Sequence, residues 1–316
     1  MNHQTCLIAS LALAAAPALG ARGEVHIVTS TPTLADIARQ VGGGHVSVES
    51  VMKGPENFHN IIAKPSHMMR LRKADLFIHL GLDAEPWVPL IIRGSRQGHL
   101  YYGEPGNVDA SRGIALKEVP ARGELTRAEG DIHVFGNPHY HLDPLNGVII
   151  ARTIADALIA ADSPHRDDYE KNFQDFAGRI DALTTRLTER MRAYQGTPIA
   201  VYHRSWPYFV DRFGLRQVAE VQPKPGIEPG PRHLSDCIET MERAGARVVI
   251  TETFNNIRNA EYVAERVGGR AVVLAHEVGA VPEATSYEAL VEYNVDALIE
   301  AFQAIGATAA PDGSTP

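Results

Sequence analysis

The chain is short of several things, and each shortage removes a class of answers. It has only two cysteines in 316 residues. Cys6 falls inside the N-terminal apolar run, so Cys237 stands alone in a processed chain and an internal disulfide is excluded. Flanked by Leu234, Ile238 and Met241, Cys237 reads as an inert core position on a helix. Positive charge is not in excess: 30 Lys and Arg face 38 Asp and Glu, for a formal net charge of −8. That balance lacks the basic face nucleic-acid binding needs. Long apolar runs are scarce too. The run over residues 7–19 is too short to cross a bilayer, which takes roughly 20 residues. No other segment approaches that length, so the mature protein is expected to be soluble. There is no internal repeat, no His-rich or acidic tract, no H-E-x-x-H helix and no G-x-S-x-G elbow.

What is present is an ordinary globular composition, 44% apolar and 22% charged, enough for one large domain or two smaller ones. The run at 7–19, rich in Ala and Leu, ends in small residues. It has the form of an export signal cleaved near Gly20 or Ala21, although its n-region carries His3 and neither Lys nor Arg.

Beyond the signal, short apolar runs alternate with amphipathic stretches, the pattern of parallel α/β units. Strands are expected at 25–30, 46–52 and 74–80, with helices from 34 to 41 and from 65 to 72. Residues 98–136 read as a long irregular surface connection with one or two short strands, and a helix is expected at 145–161. From 165 to 195, Tyr169, Phe173, Phe176, Ile180, Leu183, Leu187 and Met191 recur every three or four residues. That is one helix with a continuous apolar stripe, roughly 45 Å long at 1.5 Å per residue. It could be a coiled-coil arm. The α/β patterns on both sides of it favour a spine between two lobes. The second set places strands at 199–202, 217–221, 248–251 and 271–274, with helices at 206–213, 234–244, 260–267 and 287–305. The expected fold is α/β, with two lobes, each a parallel sheet flanked by helices, joined by one long backbone helix. The expected division is signal 1–21, first lobe 22–162, linking helix 163–195, second lobe 196–306 and a disordered tail 307–316.

Four of the fourteen histidines, His59, His139, His203 and His276, lie about seventy residues apart beside Gly, Pro or Asn. Three follow strands, the end of a parallel sheet where ligands bind. His139 is mounted on a Pro-flanked turn, Asn137-Pro138-His139-Tyr140-His141. A lone loop histidine is usually a surface residue. Four that converge make a closed imidazole site for a borderline-soft divalent cation, zinc above all. Glu220, Glu252 and Asp143 are candidate acceptors for the other ring nitrogens. His133 could approach such a site. His141 reads as a packing or outer residue, and His67, His79 and His233 as structural.

Several segments resemble the zinc/manganese solute-binding receptors of bacterial metal ABC importers. They are the stretch from Gly54 through Lys73-Ala74-Asp75-Leu76, then Gly81-Leu82-Asp83-Ala84-Glu85-Pro86-Trp87, Asn137 to Pro144, Tyr202-His203 with Arg212-Phe213-Gly214-Leu215, and Lys224 to Pro229. The resemblance runs in order along the whole mature chain. It implies metal ligands at His59, His139 and His203, and it aligns His276 with a position that is often Asp. The fourth ligand is then His276, Glu277 or solvent, in that order of preference.

The resemblance implies a monomeric periplasmic receptor that takes Zn2+, with Mn2+ less favoured, to a permease and its ATPase, with room for a periplasmic metallochaperone as donor. Two other readings stay open. One is a zinc hydrolase with three histidines, a bound water and Glu277 as base. The other is an adhesin.

Overall fold

The structure, a computed structural model, describes residues 24–120, 134–224 and 226–307. The expected signal and its cleavage site, His133, and all but the first residue of the expected tail lie outside the described residues.

Two four-stranded sheets, parallel throughout, form the frame. The first contains β1 (Val25–Thr29), β2 (Val46–Ser50), β3 (Leu76–His79) and β4 (Asn107–Asp109), in the order β2-β1-β3-β4. β1 pairs with β2 from Val25↔Val46 to Thr29↔Ser50. Its helices are α1 (Pro32–Gly42), α2 (Pro65–Leu71), α3 (Val88–Ser95) and α4 (Pro144–Ala161). α1 starts cleanly because Thr31 accepts from Leu34 N–H and Pro32 occupies the first turn, where its missing donor costs nothing.

α5 (Arg166–Met191) follows, flanked by 3-10 turns, so that helical backbone runs from Ser163 to Tyr194 between the lobes. Its stripe is the expected one: Tyr169, Phe173, Phe176, Ile180, Leu183, Leu187 and Met191 are all buried.

The second sheet contains β5 (Pro198–Val201), β6 (Arg216–Glu220), β7 (Val248–Glu252) and β8 (Arg270–Leu274), in the order β6-β5-β7-β8. α6 (Pro207–Arg212), α7 (Pro231–Ala244), α8 (Ile257–Arg266) and α9 (Tyr287–Ala304) complete it.

The strand order reverses between β1 and β3 in one sheet and between β5 and β7 in the other. Loops diverge there, and the crevice they leave is where an open parallel sheet binds ligands.

α5 is not a bare link. It packs along α4 and α1 on one side and α9 on the other. The largest apolar cluster therefore runs without a break from Val25 and Leu34 through Phe176 to Leu290 and Phe302. Polar groups fasten the same junction. Glu277 accepts from Thr33 N–H at 3.0 Å, Val278 N–H donates to Thr33 Oγ1 at 3.0 Å, and Tyr287 N–H donates to Asp36 at 2.8 Å.

One expectation is corrected. α4 has the length and mean hydropathy, 1.4, of a membrane span, although no segment after the signal was expected to approach that. Here it is a core helix. Ile150, Ala151, Ile154, Ala155 and Leu158 are buried, and the helix packs on α1 and α5.

Candidate metal centre

Three of the four singled-out histidines meet. His59 lies in a 3-10 turn, Phe58–Asn60, whose start is capped by Asn57 accepting from His59 N–H at 2.9 Å. His139 opens a second 3-10 turn, His139–Leu142, directly after Pro138. His203 leaves the end of β5, at the reversal point of the second sheet. One ring nitrogen of each lies within 4.8 Å of the other two, with His59 half-buried and the others buried. The ring centroids stand 5.4, 6.0 and 5.5 Å apart. Nitrogens about 2.0–2.1 Å from one tetrahedral zinc are about 3.4 Å from each other. The group is thus close to the spacing one shared ion needs.

The other face of each ring decides which nitrogen is offered. Nδ1 of His59 faces the Ala84 carbonyl at 2.9 Å, Nδ1 of His139 faces Asn137 Oδ1 at 3.0 Å, and Nδ1 of His203 faces Gln222 Oε1 at 2.7 Å. A carbonyl oxygen can only accept, so each Nδ1 carries the proton and each Nε2 lone pair is turned to the centre. This is the outer support a metal-binding imidazole requires. The Ala84 carbonyl owes its place to a tight turn in which Gly81, Leu82 and Asp83 all have positive φ, 72°, 57° and 54°. Leucine rarely adopts that conformation.

The expected acceptors Glu220, Glu252 and Asp143 do other work. Glu220 holds Arg204 through both oxygens at 2.9 and 3.0 Å. Glu252 accepts from Trp206 Nε1 at 2.7 Å and is pushed up to about 7 by burial. Asp143 caps α4 and pairs with Arg212 at 2.7 and 2.8 Å.

His276 stands outside the group of three. Its Nε2 faces the Glu56 carbonyl at 3.0 Å, and its ring meets Phe254 edge-on at 4.6 Å. With Nε2–H donating, the lone pair is on Nδ1, which is buried and has no hydrogen-bond partner. Burial, and then the neighbouring His141 and His203, lower the ring to about 4, so it is neutral at physiological pH.

Glu277 turns elsewhere. One oxygen is bound to the N-terminal turn of α1 at Thr33, and the other lies 3.4 Å from His141 Nε2.

His141 points away from His139 because the segment is a 3-10 turn, not the extended strand in which alternate residues share a face. Its Nε2 donates to the His276 carbonyl at 2.9 Å, so it props the loop that carries His276. His79, buried in β3, is held by Asn107 at 3.1 Å and Gly81 N–H at 3.1 Å. His67 sits in the first turn of α2 and His233 in that of α7, where its Nε2 donates to the Glu220 carbonyl. All three are structural.

Sequence reasoning missed Ala84, Gln222 and Phe254. Only Ala84 and Asn137 lay in motifs already singled out.

Comparison with known proteins places the chain in a family. The family model described as zinc-uptake complex component A, periplasmic, matches residues 27–301. The iron-binding protein YfeA of Yersinia pestis is 26% identical over 94% of this chain and 92% of its own length. The high-affinity zinc uptake system protein ZnuA of Bacillus subtilis is 22% identical over 87% and 86%. A crystal structure of ZnuA superposes with a TM-score of 0.73 at 23% identity, covering 88% of this chain and 99% of that one.

Proposed function

Because this chain belongs to the family of periplasmic zinc-uptake complex component A proteins, metal-binding receptors, we propose that it captures Zn2+ between its two lobes in the periplasm and hands it to an ABC permease driven by an ATPase. The observation that carries the reading is the convergence of His59, His139 and His203 with every Nδ1 already on an oxygen acceptor.

The donor set argues for zinc. Three imidazoles and no carboxylate make up the group, whereas manganese favours oxygen ligands and more of them. The fourth ligand is proposed to be His276, whose Nδ1 lone pair is buried without a partner. An all-imidazole site selects against manganese but not against copper or nickel, which the Irving–Williams order makes strong competitors in vitro.

The hydrolase reading needs a carboxylate poised over a metal-bound water. Glu277 was the candidate, and its hydrogen bond to Thr33 commits it to the lobe junction. That supports a receptor over an enzyme.

The test is metal analysis of the purified mature protein beside His276→Ala, followed by thermal melts with zinc and with EDTA. A ligand at a hundred times its Kd adds about 2.7 kcal/mol, and a chain of this size should then melt roughly 4–5 °C higher. No rise with zinc, or one that manganese matches at equal concentration, overturns the assignment.

A further inference from the structure

Asn137 is 1% exposed, and every polar atom it owns is committed. Its N–H donates to the Lys117 carbonyl at 2.8 Å, and its own carbonyl accepts from the Tyr208 hydroxyl at 2.9 Å. Oδ1 accepts from His139 N–H at 2.9 Å and from His139 Nδ1 at 3.0 Å. Nδ2 donates to the Arg204 carbonyl and to Glu118 Oε2, both at 2.8 Å. Two acceptor-only groups around Nδ2 leave the amide one orientation. Oδ1 must then face the ring, and the ring must carry its proton on Nδ1.

We propose that Glu118 is a positioning residue for metal capture: through the Asn137 amide, its carboxylate tightens the hold on His139 Nδ1–H and raises the donor strength of His139 Nε2. The proposal rests on reading the three histidines as the metal site. Its chemistry is that of a carboxylate–histidine–metal arrangement with an amide inserted. A hydrogen bond to an ionised acceptor is shorter and stronger than a neutral one. It polarises the amide it binds, so that the far oxygen becomes a better acceptor for the next link. Electron density is pushed along Glu118, Asn137 and the imidazole towards Nε2.

Two further observations fit. Glu118 reaches Asn137 from a backbone at φ 53°, in the left-handed region that a non-glycine residue enters only when something holds it there. Glu118 also acts electrostatically on the Arg204 guanidinium, and the Arg204 carbonyl takes the second Asn137 proton. One exposed carboxylate thus steadies the mount of His139 and the residue that follows His203, which belong to different lobes.

The experiment compares the whole mature protein with Glu118→Gln and Glu118→Ala. Zinc affinity is read by competition with a chromogenic chelator. The His139 Nδ1–H hydrogen bond is read from ring 15N shifts in metal-free protein labelled at histidine, and the metal-free melting temperature is recorded. Gln keeps an acceptor and loses the charge, whereas Ala loses both. The expected order of zinc affinity is wild type, then Gln, then Ala. The loss with Ala is about 10-fold, at the low end for outer-shell partners because the carboxylate is exposed. The Arg204 carbonyl and His139 N–H keep the amide oriented, so the His139 ring signals should move as its Nδ1–H hydrogen bond weakens, while the metal-free melting temperature stays put. Unchanged ring signals in Glu118→Ala overturn the proposal, as does an affinity loss matched by a fall in metal-free stability. If wild type itself binds no zinc, the metal reading fails instead, and the ring signals still decide whether Glu118 polarises the His139 ring.

Discussion

Gly54 and Gly279 meet backbone to backbone across the two lobes: a Cβ on Gly54 would stand 2.1 Å from the Gly279 carbonyl carbon and 2.4 Å from Ala280 N. The need at Gly54 is for space, since any side chain would be driven into main chain that cannot swing aside. The contact is next to the centre. His59 follows Gly54 by five residues and His276 precedes Gly279 by three. Gly54→Ala should cost about 1–3 kcal/mol, as over-packing does, and should weaken zinc binding by parting those two loops. Melting and zinc titration of the same preparation check both effects. Unaltered affinity would mean the two loops are not coupled.

The three converging histidines should carry most of the affinity. His139→Ala or His203→Ala should each weaken zinc binding by more than about 100-fold, the upper range for losing only an outer partner. Isothermal titration with the metal-free protein gives the comparison. A variant that binds like wild type would remove that residue from the ligand set.

Glu85, next to the Ala84 carbonyl that backs His59, supplies a pH signature in stability. It is buried, its Oε2 accepts from Leu80 N–H at 2.8 Å, and burial pushes it from 4.5 up to about 8. Between those values the folded state holds a proton that the unfolded chain has released, so stability falls as pH rises through this window. The effect is on the order of a few kcal/mol at full extent. Glu85→Gln should flatten the decline of the metal-free melting temperature between pH 5 and 8 and leave it higher at pH 8. A parallel decline in both proteins would mean another group titrates.

Cys237 should be inert in the native state. It is buried in α7, and burial pushes the thiol up to about 11, so almost no thiolate exists at neutral pH. Alkylation should be slow until denaturant unfolds the second lobe, and rapid labelling of the native protein would contradict the packing.

Much of this was legible because strand ends announce themselves. Val201 and Tyr202 run straight into His203, and the apolar stripe from Tyr169 to Met191 could only be one long helix. α3 was not read from the sequence: its Val-Pro-Leu-Ile-Ile run is short, although Val88, Ile91 and Ile92 are buried at helical spacing. The outer partners were illegible for a different reason. Sequence reasoning looked for carboxylates, but the rings are held by a backbone carbonyl and two neutral amides whose partners are set by the fold. Asn137 was within reach two positions from His139, whereas Gln222 lies on a neighbouring chain segment and left no local mark. His276 follows β8 as expected, and it stands outside the three histidines that meet. Its orientation is set by the Glu56 carbonyl, which the other lobe supplies, and by the Phe254 ring of its own lobe.

The oxygens behind the rings bear on how cargo leaves. An imidazole free to swivel lets go of an ion by peeling off alone, and its companions then follow one after another. Rings tethered at the back cannot desert singly. The ion escapes only when whole chain segments are prised apart, which thermal motion seldom achieves against a continuous apolar core. On the proposed reading, such a carrier would leak little into the surrounding fluid and would surrender its load when a docking machine supplies the leverage.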